Sequence, residues 1–262
     1  MGFVMSLGLV WKVAAGAALL LILGTAATIT YFNHTRPPAL GLASATARTP
    51  APPPVPGDPL DEVCRRPSVP GNAASTGISG LWVIQPHSAA GYRAHEKFAE
   101  VTSPHDAVAR TERMSGWLLV GGSDSAPLMV TGCIAVDVRT LHSIDVLPGF
   151  DTGDRDKSAQ DFLGARSHPY VVFQPYPVAL RLNASSDDVQ HVSLAGDLDI
   201  GSAARPATFK LDVRLKDGQV TAAGQTTVSV HDYGIEVPEE AGGFVHVNPD
   251  IILEVSLILL KP

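Results

Sequence analysis

The chain lacks most of the signatures by which a catalytic or nucleic-acid-binding protein declares itself. Its 262 residues carry 19 Lys and Arg against 26 Asp and Glu, and the basic residues form no block. Phosphate-backbone binding needs clustered cations, so this pattern argues against a nucleic-acid partner. There is no Gly-x-Ser-x-Gly elbow, phosphate loop, dinucleotide glycine pattern or His-Glu-x-x-His motif. His95-Glu96 opens like the last of these but has no second histidine in register, and the nine histidines are scattered without metal-site spacing. Asp151, Asp154 and Asp156 lie close in sequence without the glycine and ligand order of a calcium loop, and their expected role is helix capping. His87-Ser88 and His142-Ser143 are neighbours in predicted strands. Adjacent strand residues point to opposite faces, so neither makes a nucleophile and base. The expectation is a non-enzyme with no catalytic residue, no metal and no cofactor.

Cysteine is nearly absent as well, with only Cys64 and Cys133. In an oxidising compartment they could pair and pin the segment before the folded domain to it. The other reading is a free, buried Cys133 in a strand and an unused Cys64. Charge is missing altogether from residues 13–33, a run rich in Ala, Leu and Ile and long enough to cross a bilayer. The expectation is a cytoplasmic stub (1–12), a single-pass anchor (13–33) and an extracytoplasmic remainder. A cleaved signal peptide is the rival, disfavoured by the length of the run and the want of a good Ala-x-Ala site after it. Residues 34–77 are expected to form an extracytoplasmic linker: 36–58, dominated by Pro, Ala and Thr, is expected to be extended and to hold the domain off the membrane, and 61–77 is a transition carrying Cys64, Arg65 and Arg66.

What the remainder has in abundance is alternation. Phe209, Leu211, Val213 and Leu215 fall on one face, and Lys210, Asp212, Arg214 and Lys216 on the other. That period of two is an antiparallel strand with one dry face. Similar segments run at 81–85, 89–98, 107–120 (with a bend at Ser115-Gly116), 128–139, 170–174, 178–182, 190–200, 220–230 and 251–260, with Asp217-Gly218 as a hairpin turn. So many short strands predict an all-β sandwich or barrel over residues 78–262. Residues 154–165 break the alternation and favour a short helix, with Asp154 as N-cap and Gly164 as stop.

Four stretches resemble the YceI-like family of polyisoprenoid-binding, lipocalin-like barrels. They are Gly80-Leu81-Trp82-Val83 with Ser88, Gly91-Tyr92-Arg93 and Glu96; Asp154-Arg155-Asp156, then Asp161-Phe162-Leu163 and His168-Pro169-Tyr170-Val171-Val172-Phe173; Gly196-Asp197-Leu198-Asp199-Ile200-Gly201 with Arg205-Pro206-Ala207-Thr208-Phe209; and Asp232-Tyr233-Gly234-Ile235-Glu236-Val237-Pro238. The resemblance implies an extended eight-stranded antiparallel barrel with a helix on a long loop, an isoprenoid lipid or quinone in its channel, an extracytoplasmic location and often a homodimer. The gap between Arg155-Asp156 and Asp161-Phe162 is shorter than is usual in that family, and the anchor and linker are additions to its simplest members.

Under this reading, Trp82, Tyr92, Trp117, Phe162, Leu163 and Phe173 are the candidates for the channel wall, because apolar ligands are held by mostly apolar side chains. Arg93, Arg155 and Asp156 are candidates for contacting a polar head group or for locking the loop. Arg93 and Glu96 sit at odd spacing in one strand, so one of them faces inward. Two rivals remain. One is a solidly packed barrel serving as an interaction or stress-response module. The other is an enzyme acting on the lipid, using His142 or His168 with an aspartate.

Overall fold

The computed structural model describes residues 36–45, 57–68, 77–98, 105–123, 126–146, 152–180, 182–183, 186–237 and 245–262. The expected membrane span at 13–33 lies outside them. No helix among the described residues is long and apolar enough to cross a membrane.

The described residues contain thirteen strands: β1 (Gly80–Ile84), β2 (Ala89–Phe98), β3 (His105–Thr111), β4 (Met114–Ser123), β5 (Ala126–Asp137), β6 (His142–Ser143), β7 (Tyr170–Pro175), β8 (Val178–Ala179), β9 (Gln190–Ile200), β10 (Ala203–Lys216), β11 (Gln219–Ser229), β12 (Val245–Val247) and β13 (Asp250–Leu260). Eight of them close a ring in the order β1, β4, β5, β7, β9, β10, β11, β13. Val83 opposite Leu260 and Ile84 opposite Leu259 return the ring to β1. Every pairing is antiparallel. β2 continues alongside β13 where β1 leaves off, with Ala89 opposite Ser256 and Arg93 opposite Ile252. β3 and then β6 follow outward from β2, and β12 also pairs with β2. Closing the ring satisfies the backbone groups that an open sheet leaves at its edges.

The alternation in β10 is realised side chain by side chain. Ala207, Phe209, Leu211 and Val213 are buried, while Lys210, Asp212 and Arg214 are exposed. The hairpin to β11 turns at Asp217 and Gly218, both at positive φ (50° and 74°). That is the backbone a two-residue hairpin needs, and it explains the Asp-Gly pair. Gly224 is fixed by proximity instead. A Cβ there would stand 1.9 Å from the Lys210 carbonyl oxygen across the ladder.

Two expectations change. The single bent strand at 107–120 is two strands, broken at Glu112 and Arg113 rather than at Ser115-Gly116. The Arg113 amide donates to Thr111 Oγ1 (2.9 Å), and the Met114 amide donates back to the Glu112 carbonyl (3.0 Å). The break lets β3 pair with β2 while β4 pairs with β1 and β5. The segment 34–77 also differs from a free spacer wherever it is described. Leu40 is buried, and residues 36–45 lie as a strap on the outer face, running over β3, β2 and β13 to β11. Farther on, Asp58 caps a short helix (Pro59–Val63) by accepting from the Leu60 amide (3.0 Å). That helix buries Leu60 and Cys64 against Leu81, Val83, Trp117 and Cys133.

Cys64 and Cys133 are joined in a disulfide across 69 residues of chain. It ties the short helix to β5. Closing a loop of that length is worth about 4 kcal/mol in the chain-entropy picture. The double substitution Cys64→Ala/Cys133→Ala is therefore expected to lower the urea midpoint and cost about 2–4 kcal/mol. An unchanged midpoint would mean that the bond constrains nothing in the unfolded chain.

The helix on the long loop spans Thr152–Phe162, within a few residues of its expected position. Gly164 follows it at φ 65° and ends it as a left-handed stop. The helix lies along β6, and the inward faces of the ring strands make one continuous apolar interior behind it.

Candidate site: a long apolar cavity with a polar end

The barrel is not packed solid. A cavity of about 290 Å³ runs through it, lined almost entirely by aliphatic and aromatic side chains. One end is bounded by Leu180, Leu182, Asn183, Gln190, Leu215 and Val220. The middle is walled by Trp82, Leu118, Phe173, Leu194, Phe209 and Leu257, among others. The far end runs beneath the loop helix, where Arg155, Ser158, Ala159, Phe162 and Leu163 meet Tyr92, Ala94 and Glu96. The wall follows from strand register. In β13, Ile251, Leu253, Val255, Leu257 and Leu259 face in, whereas Glu254, Ser256 and Ile258 are buried on the opposite face.

Of the six residues expected on the channel wall, the structure brings five to the cavity: Trp82, Tyr92, Phe162, Leu163 and Phe173. Trp82 is fixed by its indole N–H, which donates to the Ile78 carbonyl (2.7 Å). Phe173 meets Phe209 edge to face, ring centroids 5.0 Å apart. Phe162 stands at the helix end and is 39% exposed, so it borders both the cavity and the surface. Trp117 is the exception. Its β4 neighbours Leu118 and Val120 face the cavity, so Trp117 faces out. There it packs on Cys64, Cys133 and Leu60, and its indole N–H donates to the Cys64 carbonyl (3.1 Å). It belongs to the clasp around the disulfide, not to the cavity wall.

The three polar candidates separate in the same way. Arg93 faces outward and Glu96 inward. Arg93 donates to Glu254 (2.9 Å), Asp106 (3.1 Å) and the Pro37 carbonyl (3.0 Å), all in the outer cluster beneath the strap. Asp156 does not pair with Arg155. It accepts from the Ser143 amide (2.9 Å) and from the Ser143 hydroxyl, which locks the loop helix to β6. Arg155 lines the cavity. Its Nη2 donates to Asp145 Oδ1 (2.6 Å) and its Nε to Ser143 Oγ (3.3 Å). Its Nη1 lies 3.8 Å from Glu96 Oε2 and is a buried nitrogen with no hydrogen-bond partner among the described residues.

Sequence reasoning did not link Asp145, His105 or Ser143 to Arg155, which they hold in place. His105 Nε2 lies 2.8 Å from Asp145 Oδ2, and the Val108 amide donates to Asp145 Oδ1 (2.9 Å). Burial alone would raise the Asp145 carboxyl, but the hydrogen bonds from His105, Arg155 and Val108 outweigh it and hold it at about 2. Tyr92 behaves oppositely. Burial raises its phenol well above the usual range, so it stays a neutral O–H beside Arg155. No motif marks Asp145. Only its place after the β6 residues, opposite β3, brings it to the site.

The depressed Asp145 value carries a stability prediction. The contribution is fully present above the ordinary carboxylate range near pH 4 and is lost as pH falls towards 2. It amounts to about 2 kcal/mol. Asp145→Asn is expected to lose about that much at pH 7 and to flatten the acid limb of unfolding between pH 4 and 2. An acid limb identical to that of the unsubstituted protein would remove Asp145 from this role.

The two histidines named for a catalytic alternative lie elsewhere. His142 and His168 are both exposed, and neither lines the cavity. Asp154 is at the surface, 3.2 Å from Lys157.

A YceI-like domain is matched over residues 82–259. No curated protein matches the chain in sequence. Among solved structures, a polyisoprenoid binding domain from Saccharophagus degradans, implicated in plant cell wall breakdown, superposes with a TM-score of 0.51 at 13% identity, covering 70% of this chain and 98% of that one. BcnA from Burkholderia cenocepacia gives 0.44 at 15% identity, over 64% of this chain and 95% of its own. The Campylobacter jejuni YCEI protein gives 0.36 at 11%, over 62% and 83%.

Proposed function

The chain belongs to the YceI-like domain family, and we propose that it is a membrane-tethered, extracytoplasmic carrier that holds the chain of an isoprenoid lipid or quinone in its barrel without acting on it chemically. The observation that carries this reading is the cavity itself: long, apolar along its length and polar at one end. Burial of a hydrocarbon chain is worth about 0.8 kcal/mol per methylene, so a chain of several isoprene units is held by burial alone. The name of the Saccharophagus degradans neighbour, a polyisoprenoid binding domain, is in keeping with this. The Cys64–Cys133 disulfide supports an oxidising compartment, as expected for a domain beyond an anchor at 13–33. An unfilled interior also weighs against the packed interaction module.

The polar end narrows the head group. Arg155 faces two carboxyl groups, Asp145 and Glu96, so it offers no surplus positive charge to a phosphate. What remains is the Nη1 donor and the neutral Tyr92 hydroxyl. Such a pair suits an uncharged oxygen, a quinone carbonyl or a prenyl alcohol, and leaves a buried phosphate dianion uncompensated.

A titration of the full chain in detergent, followed by intrinsic tryptophan fluorescence, to which the cavity residue Trp82 contributes, tests both points. Affinity for quinones of increasing isoprenoid length is expected to rise by about tenfold or more per unit until the cavity is full, and a polyprenyl phosphate is expected to bind no tighter than the alcohol of equal length. An affinity independent of chain length would overturn the burial mechanism, and a strong preference for the phosphate would overturn the head-group reading.

A further inference from the structure

The strap has a direction, and the direction says which mouth of the barrel meets the membrane. Arg36 Nη2 lies 2.7 Å from Asp106 Oδ2, at the rung where Asp106 opposes His95. The Pro37 carbonyl accepts from Arg93 and the Pro38 carbonyl from Arg110. The Leu40 amide donates to Glu254 Oε2 (3.2 Å), and the Gly41 carbonyl accepts from Ser256 Oγ (3.3 Å). Ser256 opposes Ala89, six residues before His95 on β2, so the rungs that the strap contacts span about 20 Å of barrel wall. It starts on the outer face one residue along β2 from Glu96, at the barrel end where Arg155 and the loop helix lie, and runs away from that end.

Only residues 34 and 35 separate this start from the end of the uncharged run at 13–33. Three residue steps reach at most about 10 Å. A chain anchored through 13–33 therefore holds the loop-helix end against the bilayer and the Asp217-Gly218 hairpin end away from it. This reverses the expectation that the Pro-rich segment spaces the domain off the surface. The same end presents apolar surface: Phe162, which also lines the cavity, is 39% exposed and Val146, next to Asp145, is 57% exposed.

We propose that the barrel docks on its own membrane by the loop-helix mouth, and that lipid passes between the bilayer and the cavity past Phe162 without crossing water. The inference rests on the anchored, lipid-binding reading above. The ion pairs of Arg36, Arg93 and Arg110 with Asp106 and Glu254 are what transmit the anchor's position to the mouth. The partner surface is a phospholipid bilayer.

The test uses the full chain in phospholipid vesicles, with a benzophenone amino acid placed at Phe162, at Val146 or at Asp217. Crosslinks to bilayer lipid are expected from positions 162 and 146, several-fold above those from position 217. Val146 guards against a local failure at 162, since its side chain is largely free. Equal or reversed yields from a chain that resists carbonate extraction and carries lipid by native mass spectrometry would overturn the docking alone. A chain released by carbonate would overturn the anchor and the docking with it. A chain that is retained but never carries lipid would overturn the binding reading and hence the passage.

Discussion

Ala222→Trp is expected to empty the barrel of ligand while leaving it folded. Ala222 is 5% exposed on the inner face of β11, between Val213 and Leu257 in register. It lines the cavity midway. An indole there takes the space a ligand chain needs. Placing a large side chain where a core is full costs about 1–3 kcal/mol, and an existing cavity softens that cost. Displacing contacts with two or three methylenes already removes about 2 kcal/mol of binding, so affinity for a long isoprenoid should fall at least tenfold. Lys210→Trp, on the outer face of β10, is the control and should bind as the unsubstituted protein does. Undiminished binding by a folded Ala222→Trp would place the ligand outside the barrel.

Glu254→Gln is expected to be the most destabilising single change on the outer face. The Glu254 carboxyl is 2% exposed and lies 2.9 Å from Arg93 and 3.1 Å from Arg110. It also receives the Leu40 amide. The glutamine is nearly isosteric but leaves two guanidinium groups short of a buried counter-charge, which costs about 3 kcal/mol. The loss has a local signature as well. Limited proteolysis should cut residues 36–45 faster in the variant, because the strap is held by the same carboxylate. A drop in stability without faster strap cleavage would mean that the carboxylate serves the sheet alone.

The fold was largely legible because a barrel wall with one wet face writes its register into the sequence. β10 is the clear case: of the residues read as inward, Phe209, Leu211 and Val213 are buried, and Leu215 is half-buried and lines the cavity. The reading failed where both faces are covered. Trp117-Leu118-Leu119-Val120 carries no alternation, because the helix Pro59–Val63 and the disulfide cover the outside of β4 as the cavity covers its inside. An apolar run of that kind cannot tell Trp117 from Leu118. The strap was missed for a related reason. Besides the Arg36 ion pair and the buried Leu40 side chain, its contacts are backbone carbonyls and an amide of Pro37, Pro38, Leu40 and Gly41, and composition does not report where those groups point. Arg155 could be singled out from its place in the loop-helix stretch, but its partners could not. Asp145 and His105 come together only through the pairing of β3 with β6.

The paired placements of Arg93 and Glu96 show how a site is assembled from strand parity. One charge goes out to the strap and the other goes in to the polar end, as their odd spacing requires. The same strand thus links the strap on the outer face to the polar end of the cavity. Anything that shifts β2 along β13 would disturb both together.

The most direct test of the carrier account is native mass spectrometry of the full chain, extracted gently from the membranes of a host that makes isoprenoids. The account predicts a co-purifying mass of quinone or prenyl-alcohol type, lost on organic extraction and absent from Ala222→Trp. A clean unliganded mass that stays unchanged after incubation with such lipids would contradict it.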